Sequence, residues 1–248
     1  MAEKPILFNT EMVRAILDGR KTQTRRLIKP QPKSRLAYCY AGTDSGTWGY
    51  PTATAHEFWG ADFELPRGLS ESEKQRRWKP PCEADDILWV RETWRPVRYV
   101  RPVKAIPVDF KETCFEYKAD GIARSDGKPE RWHPSIHMSR EAARLFLLVK
   151  KVRIERLHEM TEDDASAEGY GGWPWCYHKV FENYPDSPIP CVASDGRDCP
   201  VDRPCDHSIP ELFGREVWEK TIKTADIHKF GWDANPWVWV IEFEKMKK

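Results

Sequence analysis

The chain has 248 residues, a formal net charge of +1 and hydrophobic residues at 40% of positions. It is long enough to bury a core without disulfides or metals, and its charge balance excludes a global polyelectrolyte signal for nucleic acid. No apolar run approaches the ~20 residues of a membrane span, and the start lacks the basic and apolar regions of a signal peptide. The expectation is therefore a cytoplasmic chain with no membrane partner. Seven cysteines, an odd number, fit reduced thiols better than a closed disulfide set.

Asn9 or Thr10 can cap a first helix, for which Met12, Val13, Ile16 and Leu17 supply an apolar stripe. Gly19 suits the left-handed position that ends a helix. The chain then leaves toward a strand through a stretch rich in lysine, threonine and arginine. Between Arg14 and Arg35 there are eight basic residues and one acid, Asp18. Such a cluster suits phosphate or an electron-rich base, and it equally suits a solvated basic face. Beyond Lys29 the composition turns to Pro, Gly, Ser, Thr and charge up to about residue 81, which predicts an irregular insertion.

Residues 86–94 predict a strand, with Ile87, Trp89 and Arg91 on one face and Leu88 and Val90 on the other. A Pro- and Arg-rich loop is expected over 95–107, a short strand over 113–118 and a long or bent strand over 144–157. Thr161 to Asp164 forms a capping-box-like start, and Gly169 a stop, for a short helix that holds Glu168. A second punctuated stretch runs over 171–210. Phe213, Val217, Trp218 and Ile222 mark an amphipathic helix, and residues 235–243 a closing strand with bulky residues on both faces.

A hydroxyl beside an amine can be a nucleophile beside its base, and Lys21 and Thr24 stand three residues apart on the exit from the first helix. Thr22 competes for the nucleophile role. Arginines nearby suit an anionic or planar polar ligand. Spacing alone does not bring Glu168 to them. Cys191, Cys199, Cys205 and His207 are the metal-like cluster; they have zinc-ligand types but no Cys-x2-Cys pair, and reduced thiols in a loop are the alternative. His133 and His137 flank Pro134 near Ser135, without a nucleophile elbow. Trp89, Trp94, Trp237 and Trp239 belong to predicted strands or their flanks, where they pack a core or stack on a base.

The segment Ile-Leu-Asp-Gly-Arg-Lys-Thr-Gln-Thr-Arg-Arg26 resembles the first signature of ASCH domains, a family of the PUA-like barrel superfamily. Leu157-His-Glu-Met-Thr-Glu-Asp-Asp-Ala-Ser-Ala-Glu-Gly169 resembles their second signature. Residues 86–92 and 235–243 resemble strands of the larger, phage- and prophage-associated branch. The likeness covers about half the chain and leaves the long insertions unexplained.

The resemblance implies an α+β fold: a PUA-like small mixed β-barrel with flanking short helices and long loop insertions. It would form a single domain over 1–248, with insertions at about 29–85, 95–130 and 170–210. A small bacterial member of the family is an amidohydrolase that deacylates N4-acetylcytidine with a lysine, a threonine and a glutamate. These positions fall on Lys21, Thr24 and Glu168 here, and a family arginine on Arg26. Arg91, Glu92 and Trp94 are further substrate-binding candidates.

The implied reaction is hydrolysis of the amide on an N4-acylated cytosine, as nucleoside or base. It needs no cofactor or metal. Thr24 would attack the amide carbonyl, and Lys21 would take its proton if burial and neighbouring cations leave the amine partly neutral. Glu168 would polarise or protonate the pyrimidine, or hold Lys21 in place. A noncatalytic module that binds RNA or a modified base, with single-stranded RNA as partner, is the alternative. A ribonuclease is the third reading.

Overall fold

The computed structural model describes residues 1–39, 46–50, 68–97, 114–121, 131–170 and 208–246. It is an α+β chain whose strands in chain order are β1 (Glu3–Leu7), β2 (Gln23–Leu27), β3 (Ala37–Cys39), β4 (Thr47–Gly49), β5 (Arg77–Trp78), β6 (Ile87–Arg91), β7 (Trp94–Val97), β8 (Cys114–Tyr117), β9 (Phe146–Arg156) and β10 (Trp237–Lys245). The principal helices are α1 (Thr10–Leu17), α2 (Glu71–Lys74), α3 (Glu162–Ala167) and α4 (Ile209–Phe213). Five strands hydrogen-bond in the order β1-β6-β9-β10-β2; among the described residues this sheet has two ends, β1 and β2. A three-stranded sheet β3-β4-β5 and a ribbon β7-β8 complete the β structure. None of the described helices is long and apolar enough to cross a membrane.

The chain divides into two compact units, one of Met1–Thr22, Cys82–Val152 and Glu242–Lys248, the other of Gln23–Pro81 and Arg153–Ile241. In the first unit, β1 and β6 pair in parallel, from Glu3 opposite Ile87 to Leu7 opposite Arg91. The predicted alternation of β6 holds: Leu88 and Val90 are buried, while Ile87, Trp89 and Arg91 are half-buried. Asn9 caps α1 by accepting from the Met12 N–H at 2.8 Å, and Gly19 takes φ 78° where the helix ends. Asp86 anchors the start of β6. Burial pushes its carboxyl up, but hydrogen bonds from Lys4 and from the backbone N–H groups of Glu83 and Ala2 outweigh that and lower it to about 2.

The second unit is built on β2, the first part of β10 and the last part of β9. Val238 and Val240 pack with Leu157, Met160, Ala165, Phe213, Trp218 and Trp232, and Leu27 packs against that cluster. The amphipathic helix expected after Phe213 is interrupted. α4 passes into a π turn over Gly214–Trp218 and then a helical turn at Glu219–Thr221. Gly214 opens that turn against an indole: a Cβ on it would lie 2.1 Å from Cε3 of Trp232. Gly214→Ala is therefore expected to cost about 1–3 kcal/mol through overpacking, read as a lowered urea midpoint.

Two expected irregular stretches carry regular structure. The described part of 29–85 holds β3, β4, β5 and α2 instead of an unstructured insertion. Its strands are two or three residues long, too short to show alternation, and are held by a cross-strand row of Tyr38, Trp48 and Trp78. Residues 94–97, expected to lead into a loop, form β7, paired with β8 from Trp94 opposite Tyr117 to Val97 opposite Cys114. Residues 171–207 of the third expected insertion lie outside the described residues.

Candidate functional site

Within the second unit, the Ile28 N–H donates to the Trp237 carbonyl at 3.2 Å; within the first, the Phe243 N–H donates to the Thr22 carbonyl at 2.8 Å. Partner numbers fall on one strand as they rise on the other, so β2 and β10 run antiparallel. That register sets Thr24 opposite Ile241 and Arg26 opposite Trp239. Side chains alternate across a strand, so this ribbon has two distinct faces.

One face carries Gln23, Arg25 and Leu27 with Val238 and Val240, and it meets α3. Arg25 is the hub, with its side chain 1% exposed. Its guanidinium lies 3.3 Å from Glu155, 3.2 Å from Asp164 and 3.4 Å from Glu168. Arg153 pairs with Asp164 at 3.0 Å and also with Glu155. Gln23 donates to both the side chain and the carbonyl of Asp164, each at 2.9 Å. Asp164 and Glu168 are four residues apart, so α3 presents both carboxylates on one side.

Asp164 also closes the capping box of α3, in which Thr161 and Asp164 exchange hydrogen bonds. Burial pushes its carboxyl up. Hydrogen bonds from Gln23 and the Thr161 N–H, with the charges of Arg25 and Arg153, outweigh burial and hold it below the usual aspartate value. A carboxyl lowered by folding stabilises the fold above its unfolded value and loses that contribution as pH falls through the folded one. The docking of α3 is thus expected to weaken below about pH 4. Asp164→Asn should flatten the loss of stability between pH 6 and pH 3, measured by urea midpoints.

The other face carries Thr24 and Arg26 with Trp237 and Trp239. Thr24 is 2% exposed and Arg26 half-buried. Trp239 meets the Trp48 ring edge-on at 6.0 Å between centroids, and the Arg156 guanidinium lies over Trp237 at 4.4 Å. Trp237 Nε1 is buried without a hydrogen-bond partner among the described residues. Thr22 is exposed, so of the two threonines the buried one is Thr24. Glu168 is buried, 6% exposed. It reaches β2 through Arg25, on the face that Thr24 does not share.

The remaining sequence candidates belong to the first unit. Lys21 is 2% exposed, with its amine 5.6 Å from the centre of the Phe8 ring. Its backbone N–H donates to the Ala15 carbonyl at 3.0 Å, which closes the exit from α1. Glu92 is held by a fork from Arg144, at 2.9 Å and 3.0 Å. Burial raises its carboxyl against the opposing pull of Arg144. Arg144 also pairs with Asp120 at 2.8 Å and lies over the Tyr117 ring at 3.9 Å. Arg91 donates to the Ile136 carbonyl and lies over Trp89. Trp94 packs between His133 and Phe115, with centroids at 5.3 Å and 5.5 Å.

Cys191, Cys199, Cys205 and His207 lie outside the described residues; among the described ones no group of three or more His, Cys, Asp or Glu is arranged to hold a metal ion. Sequence reasoning missed Arg25 as the partner of Glu168, and Gln23, Arg153, Glu155 and Asp164 as the rest of the cluster around that guanidinium. The spacing of Gln23 from Arg25 and of Asp164 from Glu168 was the available signal. Comparison of the chain with protein-family models, with curated proteins and with solved structures gives no match.

Proposed function

We propose that the chain hydrolyses the exocyclic amide of an N4-acylated cytosine nucleoside or base, on a PUA-like barrel of the ASCH type. The observation that supports the reading is the burial of Thr24 and Lys21, each 2% exposed, in a segment whose Gln23 and Arg25 are taken up by the α3 cluster.

In the proposed reaction Thr24 Oγ attacks the acyl carbonyl and Lys21 takes the hydroxyl proton. Lys21 then returns it to the exocyclic nitrogen as the C–N bond breaks, which leaves acyl-Thr24 and the free amino base. Water attacks the ester, releases the carboxylic acid and restores Thr24. Arg26, beside Thr24 on the same face, and the indoles of Trp237 and Trp239 suit a planar base. Glu168 is assigned to holding β2 against α3 through Arg25, not to moving a proton. The cleaved amide absorbs in the ultraviolet, so incubation with N4-acetylcytidine tests the reading directly. Glu168→Gln is expected to lower stability more than it lowers the rate per folded molecule.

A second reading is a noncatalytic modified-base-binding module. It is favoured by the separation of Thr24 from Glu168 across the β2–β10 ribbon. It expects binding of N4-acetylcytidine without absorbance change.

A further inference from the structure

The Thr24 face of the β2–β10 ribbon holds a donor that the proposed reaction does not use. The Ile28 N–H donates to the Trp237 carbonyl, so Trp237 stands opposite Ile28. Thr24, Arg26 and Ile28 therefore share a face with Trp237, Trp239 and Ile241. Among the described residues, the buried side-chain nitrogens without a hydrogen-bond partner are Arg25 Nε, Arg91 Nε, Trp94 Nε1 and Trp237 Nε1. Arg25 projects from the opposite face of β2, and Arg91 and Trp94 belong to the first unit. Trp237 Nε1 is the one on the face from which Thr24 projects.

The indole is held as a fixed donor. Gln31 grips the strand at its root: its Oε1 accepts the Trp237 backbone N–H at 2.7 Å, and its Nε2 donates to the Trp237 carbonyl at 3.0 Å. The Arg156 guanidinium covers one face of the ring, 4.4 Å from its centre, and is itself anchored on the Asn235 carbonyl at 2.8 Å. A cation over the ring draws electron density from it and makes the N–H a stronger donor. Trp237 is 5% exposed, so this N–H has given up its hydrogen bond to water without a protein replacement among the described residues.

An indole N–H donates and never accepts, so its partner must be an acceptor. Ile28 and Trp239 on the same face are apolar and buried, and a neutral carbonyl is desolvated in such surroundings at less cost than an anion. The spacing fits one ligand atom. Thr24 and Ile28 are four residues apart, ~13 Å along the strand at ~3.3 Å each. In an N4-acylated cytosine the acyl carbon and the 2-oxygen are about 6 Å apart by ordinary bond lengths. A reacting contact of about 3 Å at Thr24 and a hydrogen bond of about 2.9 Å at the indole bring the span to ~12 Å.

We infer, on the reading of the Thr24 face as the one that receives the base, that Trp237 Nε1 donates to the 2-oxygen of the pyrimidine. The site then selects N-acylated 2-oxopyrimidines, beyond any stacking that the indole provides. The test compares cytosine with 4-aminopyrimidine, the same ring without the 2-oxygen. Both are titrated calorimetrically into the whole chain in slightly alkaline buffer, where both rings are neutral. Neither ligand carries an acyl group, so binding is read without turnover. The unmodified chain is expected to bind cytosine at least ~10-fold more tightly, the scale of one neutral hydrogen bond. Trp237→Phe keeps a ring under Arg156 and removes the N–H. It should bring the two affinities within about 2-fold of each other, because the lost bond is the difference between them. An indole with a structural role alone would lower both affinities together and leave their ratio intact. Equal affinities in the unmodified chain, a preference retained in Trp237→Phe, or no binding of cytosine would each overturn the assignment. A 2-oxygen preference without turnover of N4-acetylcytidine would remove the proposed hydrolysis and leave this assignment standing. Turnover without that preference would do the reverse.

Discussion

Arg25→Met is expected to destabilise the second unit by about 3–5 kcal/mol, the largest stability loss of any single change considered. The reason is what remains behind. Arg25 pairs with Glu155, Asp164 and Glu168 at 3.2–3.4 Å, and its removal leaves Arg153 as the cation on Glu155 and Asp164 and takes the guanidinium away from the buried Glu168. Buried charges without partners cost more than the intact pairs contribute. Arg25→Lys should fall between the two, because one ammonium restores charge but cannot reach three carboxylates at once. Urea denaturation at pH 7 reads the difference. A loss below about 1 kcal/mol for Arg25→Met, the scale of an exposed ion pair, would show that the cluster does not hold α3.

The second large effect concerns chemistry. Thr24→Ala and Lys21→Ala are each expected to lower turnover of N4-acetylcytidine by about 10²–10⁴-fold, the scale on which removal of a positioned proton acceptor acts. Thr24→Ala removes a hydroxyl and a methyl from a buried site, so its stability cost should stay near 1–2 kcal/mol. Thr24→Ser keeps the oxygen and should keep most of the rate. Lys21→Arg keeps a cation but gives up an amine that can lose its proton, so it should resemble Lys21→Ala. Equal loss in Lys21→Ala and in the double variant would indicate that the two groups act in one step.

Much of the local structure was legible in the sequence. The Asn9 cap, the left-handed Gly19, the alternation of Ile87 to Arg91 and the Thr161 capping box are each set within a few residues, and each forms as expected. What was not legible depends on distant partners. The π turn after Phe213 opens at Gly214, which lies against the distant Trp232. The strands β3 to β5 are too short for alternation to register, and they cohere through a row of aromatic side chains drawn from three segments. The ion cluster draws on positions 23, 25, 153, 155, 164 and 168, and spacing links only neighbours within each pair. Glu168 was singled out from its resemblance to a family motif. Its pairing with Arg25 follows from the packing of α3 on β2, and the placement of Thr24 on the other face from alternation along β2.

That contact gives Glu168 its proposed role. A carboxylate fixed on the guanidinium side of β2 braces the strand from which Thr24 projects, so Thr24 is kept in place without itself touching the carboxylate cluster. Two kinds of variant therefore separate. Changes at Arg25, Asp164 and Glu168 should act first on stability, and changes at Thr24 and Lys21 first on rate.

The most direct test follows the ultraviolet absorbance of N4-acetylcytidine with the unmodified chain and with Thr24→Ala, both confirmed folded by circular dichroism. The account expects conversion to cytidine and acetate by the unmodified chain and a loss of at least ~10²-fold in the variant. Conversion at the same rate by both, or by neither, would contradict it.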